Sequence, residues 1–164
     1  MIFDIGILAG ATDLLAICRE KKIKLATAES CTGGLISGVL TAVPGASAIV
    51  ERGFITYSNE AKAEMLGVQN ALLTSVGAVS EEVACAMADG ALERSRANLS
   101  AAVTGIAGPD GGSKEKPVGL VYIAVARQGF KTRHNRYLFS GDRDSVRRQT
   151  LIEVLGMLTL LVKG

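Results

Sequence analysis

Ala28-Glu-Ser-Cys-Thr-Gly-Gly34 lies between two runs of different periodicity, and that junction decides how the chain is to be folded. Before it, Ile23, Leu25 and Thr27 alternate with Lys24 and Ala26 as in a strand; after it, Leu35, Ile36, Val39 and Leu40 recur as on a helix. The stretch is therefore a turn in which a strand feeds a helix. At such a turn the first helical N–H groups lack partners and the positive end of the macrodipole points outward, so Ser30 and Cys31 stand where an anion is stabilised. Gly33 and Gly34 lower helix propensity, which is tolerable where a ligand must approach the backbone closely. An ordinary helix start capped by Ser30 or Thr32 satisfies the same pattern. The seven residues by themselves leave both readings open.

Outward from this turn, Ile7, Leu8, Ala11, Leu14, Leu15 and Cys18 mark a helix over about 5–21, ahead of the strand at 23–28. The helix after the turn spans about 32–42 and must stop before Pro44-Gly45. Residues 49–57 are rich in β-branched and aromatic side chains and form a strand, with Gly53 as a candidate bulge. Ser58-Asn59 caps a short helix ending at Gly67. A linker around Thr74–Val79 leads to Ser80, which with Glu81 and Glu82 opens a helix buried through Val83, Ala84, Met87, Ala91 and Leu92. Leu99–Thr104 is a strand running into a loop, Gly105–Gly112. Strands at about 118–126 and 131–139, separated by Gln128-Gly129, form an antiparallel hairpin. From Ser140-Gly141-Asp142 a long amphipathic helix carries Val146, Thr150, Leu151, Val154, Leu155, Leu158 and Leu161 on one stripe. This order predicts an α/β fold: one three-layer α/β/α domain over residues 1–164 with a mixed sheet.

Composition agrees with one domain. A chain of 164 residues buries roughly 68–70% of its unfolded surface. Its 48% hydrophobic content includes four Phe, three Tyr and no Trp, so the core is aliphatic, with Ala and Gly letting helices approach a sheet closely. The net charge of +2 without long basic runs gives no footprint for nucleic acid, while a small anionic ligand remains compatible. Cys18, Cys31 and Cys85 are odd in number and lack metal-ligand spacing, so no metal is expected and the compartment is a reducing one. Neither a signal peptide nor a membrane span is indicated, and a cytoplasmic protein is expected.

Three glycine-bearing turns follow strands: Thr32-Gly33-Gly34, Thr104-Gly105 with Gly108–Gly112, and Ser140-Gly141-Asp142-Arg143. Ligands collect beyond the carboxyl ends of strands in open α/β sheets, so these turns can share a cleft. None has a Walker or Rossmann glycine pattern. Asp110 fits a tight turn as well as a ligand contact. Arg143, Arg147 and Arg148 oppose the dipole of the last helix, which suits a bound anion or, equally, a solvated patch paired with Asp142 and Asp144. Ser30 and Cys31 are adjacent candidate nucleophiles. The single histidine, His134, sits among Lys131, Arg133 and Arg136 on a hairpin strand and reads as a surface residue. A lysine can replace histidine as base, and Lys62, on the short helix after Tyr57-Ser58-Asn59, is the candidate if burial lowers its pKa; a solvated helix lysine is the ordinary alternative.

Several blocks in fixed order, Ala28-Glu-Ser-Cys-Thr-Gly-Gly34, Glu51-Arg-Gly-Phe-Ile-Thr-Tyr-Ser-Asn-Glu-Ala-Lys62, Gly77-Ala-Val-Ser80, Thr104-Gly-Ile-Ala-Gly-Pro-Asp-Gly-Gly112, Lys116-Pro-Val-Gly119 and Ser140-Gly-Asp-Arg143, resemble the CinA C-terminal domain family, also known as nicotinamide-nucleotide amidase. The likeness runs from about residue 8 to about 160, and the chain resembles the form that occurs alone rather than fused behind another domain. The resemblance implies hydrolysis of the carboxamide of nicotinamide mononucleotide to nicotinic acid mononucleotide and ammonia, without a metal or other cofactor. It also implies Ser30 as nucleophile and Lys62 as its base. On that footing, N–H groups near Thr32, Gly33 and Gly34 are expected to hold the oxyanion. Tyr57, Asn59 and the loop carrying Thr104, Gly105, Gly108, Gly111 and Gly112 are expected to orient Lys62 and the nicotinamide, and Arg143 with Arg147 to take the phosphate. A pyridine mononucleotide is then the partner, with neither nucleic acid nor membrane, and a homodimer or larger homo-oligomer is compatible. The alternatives are a nucleotide-binding or competence-related regulatory module without turnover, and a Cys31 amidase using His134, disfavoured because Cys31 has no evident partner.

Overall fold

In the computed structural model, which describes residues 2–164, β1 (Leu25–Glu29) runs parallel to both β2 (Val50–Ile55) and β3 (Leu99–Gly105). Antiparallel pairing then adds β4 (Leu120–Arg127) and β5 (Arg133–Leu138), giving the mixed order β2-β1-β3-β4-β5. The two faces differ in side-chain size. One carries Leu25, Leu99, Ala101, Val103, Val121, Ile123 and Val125, and packs against α1 (Ile5–Glu20), α2 (Leu35–Thr41) and α6 (Arg143–Lys163). The other is nearly all alanine, with Ala26, Ala28, Ala102, Ala124 and Ala126 facing α3 (Asn59–Leu66), α4 (Asn70–Val76) and α5 (Glu81–Glu93). Small side chains on that face let α5 lie close to the sheet, where Ser100 donates to Ala88 O at 2.7 Å. The approach of α3 to α5 is closer still, since a Cβ on Gly90 would collide with the Leu66 carbonyl. The α/β/α layering expected from the element order is therefore present, and the alanine content is what makes its second helical layer fit.

Local signals account for most boundaries. Asp4, Ser58, Ser80 and Asp142 each cap a helix through a side-chain oxygen, and Gly67 closes α3 in the left-handed region. Beyond shifts of one or two residues at strand ends, three features differ from expectation. α2 begins at Leu35, because Gly33 (φ +56°) and Gly34 (φ +104°) take left-handed conformations that prolong the turn. The irregularity in β2 falls at Glu51, between Val50 and Arg52 opposite Leu25 and Ala26, and not at Gly53. Gly53 answers a packing demand instead: a Cβ there would strike the hydroxyls of Thr27 and Ser37. Part of the expected linker belongs to α4, a seven-residue helix whose one fully buried residue, Leu73, leaves almost no periodic signal.

Because β1, β2 and β3 are parallel, their carboxyl ends, at Glu29, Ile55 and Gly105, open on the same edge of the sheet. Among the described residues no helix is long and apolar enough to cross a membrane.

Candidate active site

The Ser30 turn is built on a buried carboxylate. Ser30 N–H donates to Val103 O at 3.2 Å, continuing the β1–β3 pairing one residue past the strand. Glu29, with no exposed surface, turns its side chain under α2 and accepts from Gly34, Ile36 and Ser37 N–H at 3.0, 3.0 and 2.8 Å. The donors at the start of this helix are thus taken by the protein's own Glu29 side chain. Two of the three expected oxyanion donors are already committed. Gly34 N–H is committed to Glu29 and Gly33 N–H to Ser30 O at 3.0 Å. The N–H groups of Cys31 and Thr32 donate to no oxygen among the described residues, and that of Cys31 lies beside the nucleophile. Glu29→Ala should leave three backbone donors without their acceptor, that of Ile36 fully buried, and lower stability by about 2–5 kcal/mol in urea unfolding; a loss below about 1 kcal/mol would mean that water replaces the carboxylate.

Opposite the turn, α3 delivers Lys62 from the side of β2. The Ser58 cap sets the helix start, and the side chain passes inward until only 1% of Lys62 is exposed. Its Nζ lies 3.1 Å from Ser30 Oγ, 2.9 Å from Thr56 O and 3.4 Å from Tyr57 O. No carboxylate among the described residues lies within ion-pair distance. Burial without a counter-ion holds the ammonium below the usual lysine range. Nζ thus donates towards three oxygens, the Thr56 and Tyr57 carbonyls and Ser30 Oγ. A neutral amine would keep the two carbonyl bonds and turn its lone pair to the Ser30 hydroxyl.

Between these walls is a cleft of about 280 Å³. Ser30, Cys31 and Lys62 form its floor, and Tyr57 and Asn59 one side. Across from them run Thr104 to Gly108 with Asp110 and Gly111. Ala78 and Val79 complete that wall, held by Thr104 Oγ1 donating to Ala78 O at 2.8 Å. Arg143, from the first turn of α6, closes one end, donating to Gly108 O at 2.8 Å and Tyr57 Oη at 3.0 Å.

A family model described as the CinA C-terminal domain matches residues 9–162. The chain belongs to that family. Over 132 residues it is 54% identical to nicotinamide-nucleotide amidohydrolase PncC of Escherichia coli strain K12, with 80% of each chain covered. It is 52% identical over 143 residues to a CinA-like protein of Akkermansia muciniphila, covering 85% of this chain and 34% of that longer one. The crystal structure of competence/damage inducible protein CihA from Agrobacterium tumefaciens superposes with a TM-score of 0.97 at 45% identity, over 100% of this chain and 99% of that one.

Within this CinA-family domain, the residues singled out from the sequence divide by place. Ser30, Tyr57, Asn59, Lys62, Thr104, Gly105, Gly108, Gly111 and Arg143 meet at the cleft. Thr32, Gly33 and Gly34 belong to the same turn but are not part of the lining. Gly112 packs against Val118, where a Cβ would lie 2.8 Å from the Val118 nitrogen. Arg147 is not part of that lining: its guanidinium donates to Thr32 O at 3.2 Å, and its side chain lines a neighbouring hollow with Asp4 and Arg148. Residues the sequence analysis did not single out are Glu29, hidden inside a quoted motif, and Ala78 and Val79, whose only signal was membership of the Gly77–Ser80 block. The alternative nucleophile makes no hydrogen bond to Lys62, whose Nζ is directed to Ser30 and two carbonyls. Cys31 is buried and its thiol is pushed up to about 11 by loss of solvent. His134 is on the far edge strand, with Nδ1 3.7 Å from Glu81, three strand spacings or roughly 14 Å across the sheet from β1.

Proposed function

We propose that this domain hydrolyses the carboxamide of nicotinamide mononucleotide, giving nicotinic acid mononucleotide and ammonia. The observation that carries the chemistry is the 3.1 Å contact between Ser30 Oγ and the buried Lys62 Nζ at the floor of the cleft. The substrate is supported by the likeness to nicotinamide-nucleotide amidohydrolase PncC. In this scheme neutral Lys62 takes the Ser30 proton as Oγ bonds to the amide carbon, and the Cys31 N–H receives the developing oxyanion. The Lys62 ammonium then protonates the amide nitrogen. The C–N bond breaks, ammonia leaves, and an ester remains on Ser30. Water, deprotonated by the same lysine, hydrolyses the ester and returns the proton to Ser30.

Ammonia and nicotinic acid mononucleotide should appear in equal amounts when the purified protein meets the mononucleotide. Tight binding of the mononucleotide without ammonia release would favour a regulatory nucleotide-binding module and overturn the reading. Three unpaired cysteines fit a reducing compartment, and we place the protein in the cytoplasm.

Arg143 supplies the phosphate contact in this proposal. A charge-assisted hydrogen bond is worth about 1.5–3 kcal/mol, so Arg143→Ala should lower kcat/KM for the mononucleotide roughly 10- to 150-fold. Nicotinamide riboside, with no phosphate, should be a poor substrate whose rate the substitution changes little. Equal losses on both substrates would mean that Arg143 acts through its bonds to Gly108 and Tyr57, and would move the phosphate to the Gly108–Gly111 loop.

A further inference from the structure

We infer that Asp110 makes the cleft selective for a carboxamide carried on a cationic ring, its carboxylate facing the ring charge while Arg143 faces the phosphate. This rests on the mononucleotide reading above and adds a determinant of specificity to it.

Asp110 lies in a glycine-rich turn, where an aspartate ordinarily accepts a hydrogen bond from backbone two residues on. Here the turn does not use it. Gly108 (φ +85°) and Gly111 (φ +89°) supply the left-handed conformations, and among the described residues the Asp110 side chain makes neither a hydrogen bond nor an ion pair. Yet Asp110 lines the same cleft as Ser30 and Lys62. Arg143, in the same lining, donates to Gly108 O and Tyr57 Oη and makes no ion pair with this carboxylate. Beside the buried Lys62, the lining thus carries one carboxylate and one guanidinium that do not neutralise each other.

A nicotinamide mononucleotide has the complementary pattern: a positive pyridinium next to the carboxamide and a negative phosphate beyond the ribose. With the carboxamide at Ser30, the pyridinium would be placed against Asp110 and the phosphate against Arg143. The selection has a chemical benefit as well. The pyridinium withdraws electrons from its carboxamide, so the ring charge that Asp110 attracts marks the substrate whose carbonyl carbon is the more readily attacked.

The test compares Asp110→Asn with the wild-type protein on nicotinamide mononucleotide and on benzamide riboside 5′-monophosphate, a carbon-linked isostere with a neutral ring. The substitution should lower kcat/KM for the cationic substrate about two- to tenfold, as expected for a partly solvated charge pair, and the difference should shrink as salt is added. For the isostere it should change nothing. Equal losses on both would overturn the inference. So would a loss that disappears when the ribose 2′-hydroxyl is removed, since that would assign Asp110 to the sugar. Dissociation constants for the same two compounds, measured by calorimetry, decide the point separately from turnover. If the wild-type protein releases no ammonia, the amidase reading fails while the preference of Asp110 for the cationic ring is still read from binding.

Discussion

Ser30→Ala is expected to lower kcat by roughly three orders of magnitude or more, while Cys31→Ala keeps most of the rate and both variants stay folded. The two side chains are neighbours in one turn, but their surroundings differ. The Ser30 hydroxyl faces the cleft and has Lys62 Nζ at 3.1 Å. Its bond to Lys62 is the only side-chain hydrogen bond it makes among the described residues, so truncation removes the nucleophile without stranding another partner. Cys31 has greater intrinsic nucleophilicity but no hydrogen bond to Lys62, and with its thiol pushed up to about 11 only roughly one molecule in 10,000 carries a thiolate at pH 7. Ammonia release by each variant, with thermal unfolding as a control, separates them. Activity lost with Cys31 and kept without Ser30 would reverse the assignment.

Lys62→Met and Lys62→Arg should each reduce kcat by about 10²- to 10⁴-fold, the usual range for a general base. The arginine variant keeps a cation yet cannot surrender a proton near neutrality. Wild-type kcat/KM should rise with pH along a limb set by a pKa below the ordinary lysine value near 10.4, because attack requires the neutral amine and burial depresses the folded pKa. The same depression has a stability signature. The unfolded chain binds a proton at Lys62 more readily than the folded one, so folding is opposed most below the folded pKa and the opposition fades as pH rises towards 10.5. The stability of the wild-type protein relative to Lys62→Met should therefore increase from pH 7 to pH 10.5. An arginine variant with near-normal rate would rule out proton transfer by this residue.

Much of this architecture was legible because local chemistry and tertiary packing agree. The change of period around Ala28–Gly34 marks a real strand–turn–helix junction, and the caps at Ser58, Ser80 and Asp142 are those their residue types announce. What escaped has physical reasons. Glu29 sits in a strand whose five residues are all buried, so no alternation flagged its side chain, and its partners are backbone groups that carry no sequence signal. Arg143 and Arg147 are one helical turn apart and appear equivalent in sequence. α6 crosses beside the Ser30 turn, however, so the first donates to Tyr57 and Gly108 and the second to Thr32. The 3.1 Å approach of Lys62 to Ser30 depends on β1 and β2 being parallel neighbours. Residue spacing alone does not specify that pairing.

The most direct test of Ser30 as nucleophile is to stop the reaction within its first turnover. Enzyme in excess over nicotinamide mononucleotide is quenched in acid at intervals of milliseconds, digested, and the peptides around Ser30 are weighed. The account predicts a transient ester of the nicotinoyl nucleotide on Ser30, formed in step with ammonia and decaying as nicotinic acid mononucleotide appears. An adduct on Cys31, or ammonia and acid product rising together from the first time point with no modified peptide, would contradict it.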